Sequence, residues 1–242
     1  MSEPRELRPL FATPCYGGMT CWQFTASMED LAETFARAGI PFKHHMLGGD
    51  SVVDRARNDC VAECLEGGYS DLFYIDADIA FRPQDALDML TSGLDFVLGP
   101  YRKKTPEEKW TTTLLERDRK AGTIQVCTHP GSRDIRYIMC AEGGAGFLRL
   151  SRAAVELLID GVPTYRGEKN GVPRTIRVPD LFKSEVDDDV RIGEDQVVCR
   201  RWRALGGNVW CSVDTRLQHI GGGSVYEGNF ATFIGLTMRQ AA

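Results

Sequence analysis

The first hundred residues alternate between two hydrophobic periods, and this restricts the fold more than any other feature of the chain. LFATP (10–14), PFKHHML (41–47), DLFYI (71–75) and DFVLG (95–99) read as short strands. Between the first two, Met28, Leu31, Ala32, Phe35 and Ala38 fall at helical spacing within 25–38, and Gly39 stands where a helix ends. A second helix is expected over 52–66 and a third over 83–91, with Pro83 in its first turn. Such alternation calls for a mainly parallel sheet with helices on its faces. At 242 residues the chain is expected to form one domain, 1–242, around one core.

The second half reads differently. TTTLLERDRKAGTIQVCT (111–128) resembles a hairpin turning near Ala121-Gly122. Strands are expected at 136–140 and 146–150, around a glycine-rich break, and a helix at 151–160. Residues 161–193 are rich in Gly, Pro and charge, and too long for an idle loop unless mobile or functional. EDQVVCRRWRAL (194–205) reads as a helix closed by Gly206-Gly207, NVWCSV (208–213) as the last strand, and 223–242 as a mobile tail. The expected class is α/β, a mainly parallel central sheet (1–100) continued by a mixed C-terminal half (101–222).

Composition narrows the function classes. No apolar run approaches the ~20 residues that span a bilayer, and MSEPRELRPLF lacks a signal-peptide apolar region, so the cytoplasm is the expected location. Eight scattered cysteines without a CxxC pair read as reduced core thiols. A net charge of −5 argues against a broad nucleic-acid surface, although YRKK (101–104) and CRRWR (199–203) could hold an anion or be solvated faces.

The chemistry centres on DLFYIDADIAF. In open α/β sheets ligands bind beyond the carboxyl ends of the strands, and Asp76 and Asp78 sit just past such an end. Neighbouring carboxylates raise one another's pKa, and a hard divalent cation, Mn²⁺ or Mg²⁺, removes the conflict. Capping of the helix at Pro83 is the plainer alternative. Downstream, His219 precedes three glycines and could complete an oxygen-rich metal site or be a surface histidine. His44 and His45 are strand neighbours pointing to opposite faces, and His129 has no evident partner. Arg57 falls within the apolar stripe of the second helix, so its charge needs a diphosphate or an internal carboxylate.

With these pieces in order, the chain resembles nucleotide-sugar glycosyltransferases of the GT-A fold, above all the compact family-2-like enzymes often encoded by phages and large viruses. The likeness runs over roughly 8–222 through FATPCYGG, RARND, FYIDADIAF, FVLGPYRKK, AEGGAGFLRLSR, GEDQVVCRRWRALGG and HIGGG. It implies that Thr13 and Pro14 begin the nucleotide pocket and that Arg57 and Asn58 serve the donor side. Asp76 and Asp78 match the DxD motif, the second aspartate binding metal and the first contacting ribose or metal, and His219 matches a late metal-binding histidine. Gly143 and Gly144 match the backbone beside the donor sugar, and Glu194 and Asp195 the pair near the acceptor, the aspartate being the usual base of inverting members.

Metal, Arg57 and Lys103 or Lys104 would stabilise the departing diphosphate, while Asp195 accepts the hydroxyl proton. Asp195 also starts a helix, whose dipole favours the charged form and weakens it as a base. The donor expected by frequency is a UDP-sugar, and the acceptor could be a glycan, a protein or a modified DNA base. Two other classes are compatible with DxD. One is a phosphohydrolase of the haloacid-dehalogenase type, although the motif is on the third strand and Ala80 stands where Thr or Val is usual. The other is a nucleotide-sugar-binding module without turnover.

Overall fold

The computed structural model describes residues 6–128 and 135–236; His129 and the end of the expected tail lie outside them. The first half runs β1 (Pro9–Cys15), α1 (Trp22–Arg37), β2 (Lys43–Gly48), α2 (Val53–Glu66), β3 (Asp71–Ile75), β4 (Ile79–Phe81), α3 (Pro83–Thr91) and β5 (Phe96–Leu98). Then follow β6 (Thr113–Leu114), α4 (Glu116–Ala121), β7 (Val126–Thr128), β8 (Arg136–Glu142), β9 (Phe147–Ser151) and α5 (Arg152–Ile159). Residues 161–193 hold β10 (Thr164–Tyr165), β11 (Glu168–Lys169), β12 (Val172–Pro173), β13 (Val178–Pro179), β14 (Glu185–Asp187) and β15 (Val190–Ile192). The chain continues through α6 (Glu194–Ala204), β16 (Trp210–Ser212), β17 (Leu217–Gly221), β18 (Ser224–Tyr226) and α7 (Phe230–Phe233).

The main sheet has the order β2-β1-β3-β9-β5-β16-β8-β6, with β7 also on β8. β1 pairs in parallel with β2 and β3, and β16 with β5. β9 inserts antiparallel between β3 and β5, and β8 lies antiparallel to β16. The α/β class is as expected; the central sheet is mixed, parallel among β1, β2 and β3 and between β5 and β16, and antiparallel elsewhere. Both faces are covered, which is why β3, β5 and β9 are buried along their whole length. One core layer gathers Leu10, Leu72 and Leu150 with Cys60, Cys64 and Trp202, the other Phe11, Phe35, Phe73 and Phe147. The cysteines are free thiols, most of them buried, and no helix among the described residues is long and apolar enough to cross a membrane.

Three expectations are corrected. The stretch 111–128 is not a hairpin: β6 and β7 both pair with β8, separated by α4. Glu116 and Asp118 in its first turn, Arg119 and Lys120 in its last, and Gly122 at φ +65° make ERDRKAG a charge-complemented helix with a left-handed stop. Residues 161–193 are a set of short antiparallel pairs, β10–β13, β11–β12 and β14–β15, rather than a loop. The expected mobile tail is ordered through its described part: β18 pairs with β17, and Phe230 and Ala231 enter the core. Helix α1 also starts earlier than its apolar spacing indicates, because the Cys21 thiol accepts the N–H of Phe24.

Candidate active site

β1 and β3 run in parallel, so the loops leaving their carboxyl ends emerge at one edge of the sheet. A cleft of about 330 Å³ opens there, lined by Pro14, Cys15, Tyr16, Arg57, Asp76 and Asp78. Main-chain bonds pin its acidic side. Asp76 N–H donates to Gly146 O (3.0 Å), Ile79 N–H to Asp76 O (3.0 Å) and Ile220 N–H to Asp78 O (2.8 Å).

Arg57 meets internal carboxylates, one of the two kinds of partner its position in α2 left open. Nη2 lies 3.0 and 3.3 Å from the two Asp76 oxygens, Nε donates to Glu194 (3.3 Å) and Nη1 to Ala145 O (3.3 Å). Burial works against the guanidinium charge, but Asp76 and then Glu194 outweigh it and move the pKa further up. One buried cation thus joins the end of β3 to the start of α6, bringing together two motifs more than a hundred residues apart.

Asp78 forms the second half of the site. Lys104 Nζ pairs with its carboxylate, and His219 Nε2 lies 3.6 Å from its Oδ1. His219 Nδ1 is 2.8 Å from Arg102 O. A carbonyl can only accept, so Nδ1 carries the ring proton and Nε2 turns a lone pair toward Asp78. Burial holds the imidazole below its ordinary pKa. A lone pair facing a carboxylate is tolerable only beside a cation, the place Lys104 takes here. A borderline nitrogen next to a hard carboxylate suits Mn²⁺ or Mg²⁺, although among the described residues no three His, Cys, Asp or Glu side chains gather as a metal cluster.

Glu194 and Asp195 open α6. Gly193 N–H donates to Gln196 Oε1 (3.2 Å), and Asp195 Oδ1 accepts Gln196 N–H (2.8 Å). Glu142 takes bonds from Gln196 and Arg200, each at 2.6 Å, and ties this turn to β8. Burial raises the pKa of both residues and outweighs the Gln196 N–H and the Arg57 charge at Asp195. At Asp195 burial therefore acts against the helix dipole, which favours the charged form.

Other expected residues serve the frame. Thr13 is fully buried and its hydroxyl meets His44 Nε2 (3.1 Å), so Pro14, not Thr13, faces the cleft. The Asn58 amide donates to Phe182 O (2.9 Å) and accepts Phe182 N–H (2.7 Å), clamping residues 180–182 to α2. A Cβ on Gly143 would strike Leu98, and one on Gly144 would strike the Tyr101 hydroxyl. These glycines let the 143–146 turn lie against β5 and Tyr101.

Tyr101 was missed by sequence reasoning. Its hydroxyl accepts Gly146 N–H (3.1 Å) and its ring meets His219 edge-on at 5.2 Å. Its only signal was its place just after β5. Within CRRWR, Arg200 meets Glu142 and Asp187 and Arg201 the carbonyls of Leu158 and Asp160; outside it, Arg174 is held by Asp59, Glu63 and Glu66.

Comparison with solved structures places the fold. A197 from STIV matches over 97% of this chain and 99% of its own, with a TM-score of 0.52 and 15% identity. The two share a fold. A glycosyltransferase involved in glycosylation of the major capsid of PBCV-1 aligns over 61% of either chain at 10% identity (TM-score 0.33). The inositol-1-phosphate CTP transferase from T. maritima aligns over 87% of this chain and 90% of its own at 11% identity (TM-score 0.39). Both are too distant to inform the chemistry. No family model and no curated protein matches the sequence.

Proposed function

We propose that the protein is a metal-dependent glycosyltransferase that moves a sugar from a nucleoside-diphosphate sugar, UDP-linked by default, to an acceptor hydroxyl with inversion. The observation behind this reading is the chain of contacts Asp76–Arg57–Glu194 at the carboxyl end of β3, with Asp195 next to Glu194 and the Asp78–His219 pair beside it. Asp78 and His219 would hold the divalent ion, with Asp76 close by. Bound there, such an ion supplies positive charge that stabilises a departing diphosphate.

The chain's own residues do the rest. Arg57 fixes the Asp76 carboxylate and, through Glu194, the first turn of α6. Lys104, with about a third of its side chain exposed, has the length to turn from Asp78 toward a phosphate. Asp195 takes the proton of the attacking hydroxyl, and its raised pKa brings it nearer the range in which a base works well. A basic surface for a DNA acceptor is not favoured by the net charge of −5, and Lys169, Arg174 and Arg200 are already tied to carboxylates, which leaves fewer cations to displace counterions from a phosphate backbone. The phosphohydrolase alternative would make Asp76 the nucleophile, yet both its oxygens lie within reach of Arg57 Nη2.

A panel of nucleotide sugars tested by thermal shift, with and without Mn²⁺, checks the proposal. One nucleotide class should raise the melting temperature only when metal is present and should be consumed on prolonged incubation. Release of phosphate from an aryl phosphate with no response to any nucleotide sugar would establish the hydrolase instead, and binding without turnover the inactive module.

A further inference from the structure

A larger cleft, of about 640 Å³, lies on the outer face of the β4–β17–β18 sheet. In that sheet Gln218 is paired with Ala80 and His219 with Ile79. Side chains alternate along a strand, so Gln218 and Ala80 face outward while His219 faces the catalytic side. Trp22 forms one wall and is 74% exposed. The side chains of Trp22 and its neighbour Gln23 make no hydrogen bond among the described residues. The opposite wall carries Gln218, whose amide donates to Glu227 (2.7 Å).

The charged residues that line this cleft are each engaged: Arg82 pairs with Asp85 at 2.6 Å, Arg216 donates to the Asn229 amide oxygen (3.1 Å), and Glu227 accepts the Gln218 amide. Charges of both signs are present, and neither sign forms a cluster that would select a phosphate or a metal. What remains is a flat, uncovered indole facing side-chain amides, which can give and accept hydrogen bonds, and a carboxylate, which accepts them. A sugar ring matches that combination: its C–H face packs on the aromatic plane, and its hydroxyls satisfy paired donors and acceptors. The volume lies within the ~300–1,000 Å³ usual for small-ligand sites. The two clefts also share a wall, because Cys21 and Asp78 line the catalytic one, Trp22 and Ala80 line this one, and Cys21 N–H donates to Ala77 O between them (3.2 Å).

We infer that the Trp22 cleft binds a neutral saccharide and that it seats the body of the acceptor, a glycan whose end crosses Cys21 and Ala77 into the catalytic cleft. The saccharide site stands on its own geometry; the acceptor role rests on the glycosyltransferase reading. The test titrates the full chain with linear α-1,4- and β-1,4-linked glucose and mannose hexaoses and with their monosaccharides, following tryptophan fluorescence and saturation-transfer NMR. At least one hexaose should bind at least tenfold more tightly than its monosaccharide. Trp22→Ala, at an exposed position, should weaken that binding at least tenfold and Gln23→Ala severalfold, while the melting shift given by nucleotide sugar with Mn²⁺ stays unchanged. Absence of hexaose binding, equal binding by Trp22→Ala, or quenching by apolar peptides in place of saccharides would overturn the site. Hexaose binding through Trp22 in a protein that responds to no nucleotide sugar would keep the site and discard the glycosyltransferase reading. A bound hexaose left unextended by an active donor would discard the acceptor role.

Discussion

Strand β3 is bracketed by carboxylates, and each is met by an arginine from a distant part of the chain. Before the strand leaves the core, Asp71 pairs with Arg149, and the two side chains are 0% and 1% exposed. Just past its other end, Asp76 pairs with Arg57, and there the carboxylate is 28% exposed beside an arginine at 5%. The pairing chemistry is the same; the access to solvent is not. In a sealed pair neither charge faces a cleft, and removing one partner leaves a buried charge without its counterion. At the rim, the carboxylate keeps an open side toward a cleft, so its charge is available to a ligand. Arg149 belongs to the scaffold, and Arg57 belongs to the site.

This distinction can be broken at several points. The largest effect should come from the rim: Asp195→Asn is expected to lower transfer by ~10²–10⁴-fold while the donor-induced melting shift is retained. Undiminished transfer would return Asp195 to a helix-start role. At the sealed end, Arg149→Met should lower stability by ~3–5 kcal/mol, read by urea denaturation, with turnover per folded molecule unchanged within about threefold. Loss of turnover in a folded Arg149→Met protein would erase the contrast between the two ends.

Arg57→Met should invert that pattern, costing less stability, about 2 kcal/mol because Asp76 keeps some water, but ~10²-fold in turnover, since it frees both Asp76 and the start of α6. The smallest expected effect is a pH signature. Burial raises the Asp195 pKa, so the base gains its proton as pH falls through a value above the ordinary aspartate range. The acid limb of kcat/KM should accordingly lie above that range, and a limb at the ordinary aspartate value would show that the buried carboxyl is not the base.

Much of this arrangement was legible in the sequence because it depends on local patterns. The run DLFYI, the placement of Asp76 and Asp78 after it, Pro83 at the head of α3 and Gly39 behind α1 are all set by neighbours in the chain. The order of strands in the second half was not legible, because β9 is placed by pairing with β3 and β5 rather than by its own residues. ERDRKAG had helix-end charges and a stop glycine, and the apolar residues flanking it suggested a hairpin more strongly than they should have.

At the site, Arg57 showed itself as a cation inside an apolar stripe, but its partners, Asp76 and Glu194, meet only through tertiary packing. Asn58 illustrates the converse, since a polar residue in the right motif is engaged by the backbone of Phe182. Tyr101 and Gly146 stood within quoted motifs, but their contact is made in the tertiary structure and nothing local announced it.

The account depends most on Asp78 and His219 forming a cation site that a nucleotide diphosphate completes. Uptake of Mn²⁺, followed by loss of the free-ion electron paramagnetic resonance signal with and without UDP, measures this directly in the parent protein and in Asp78→Ala. The parent should bind one ion, more tightly when UDP is present, and the variant should bind at least tenfold more weakly while melting at the parent temperature. Equal uptake by both proteins, or no uptake by the parent in the presence of UDP, would contradict it.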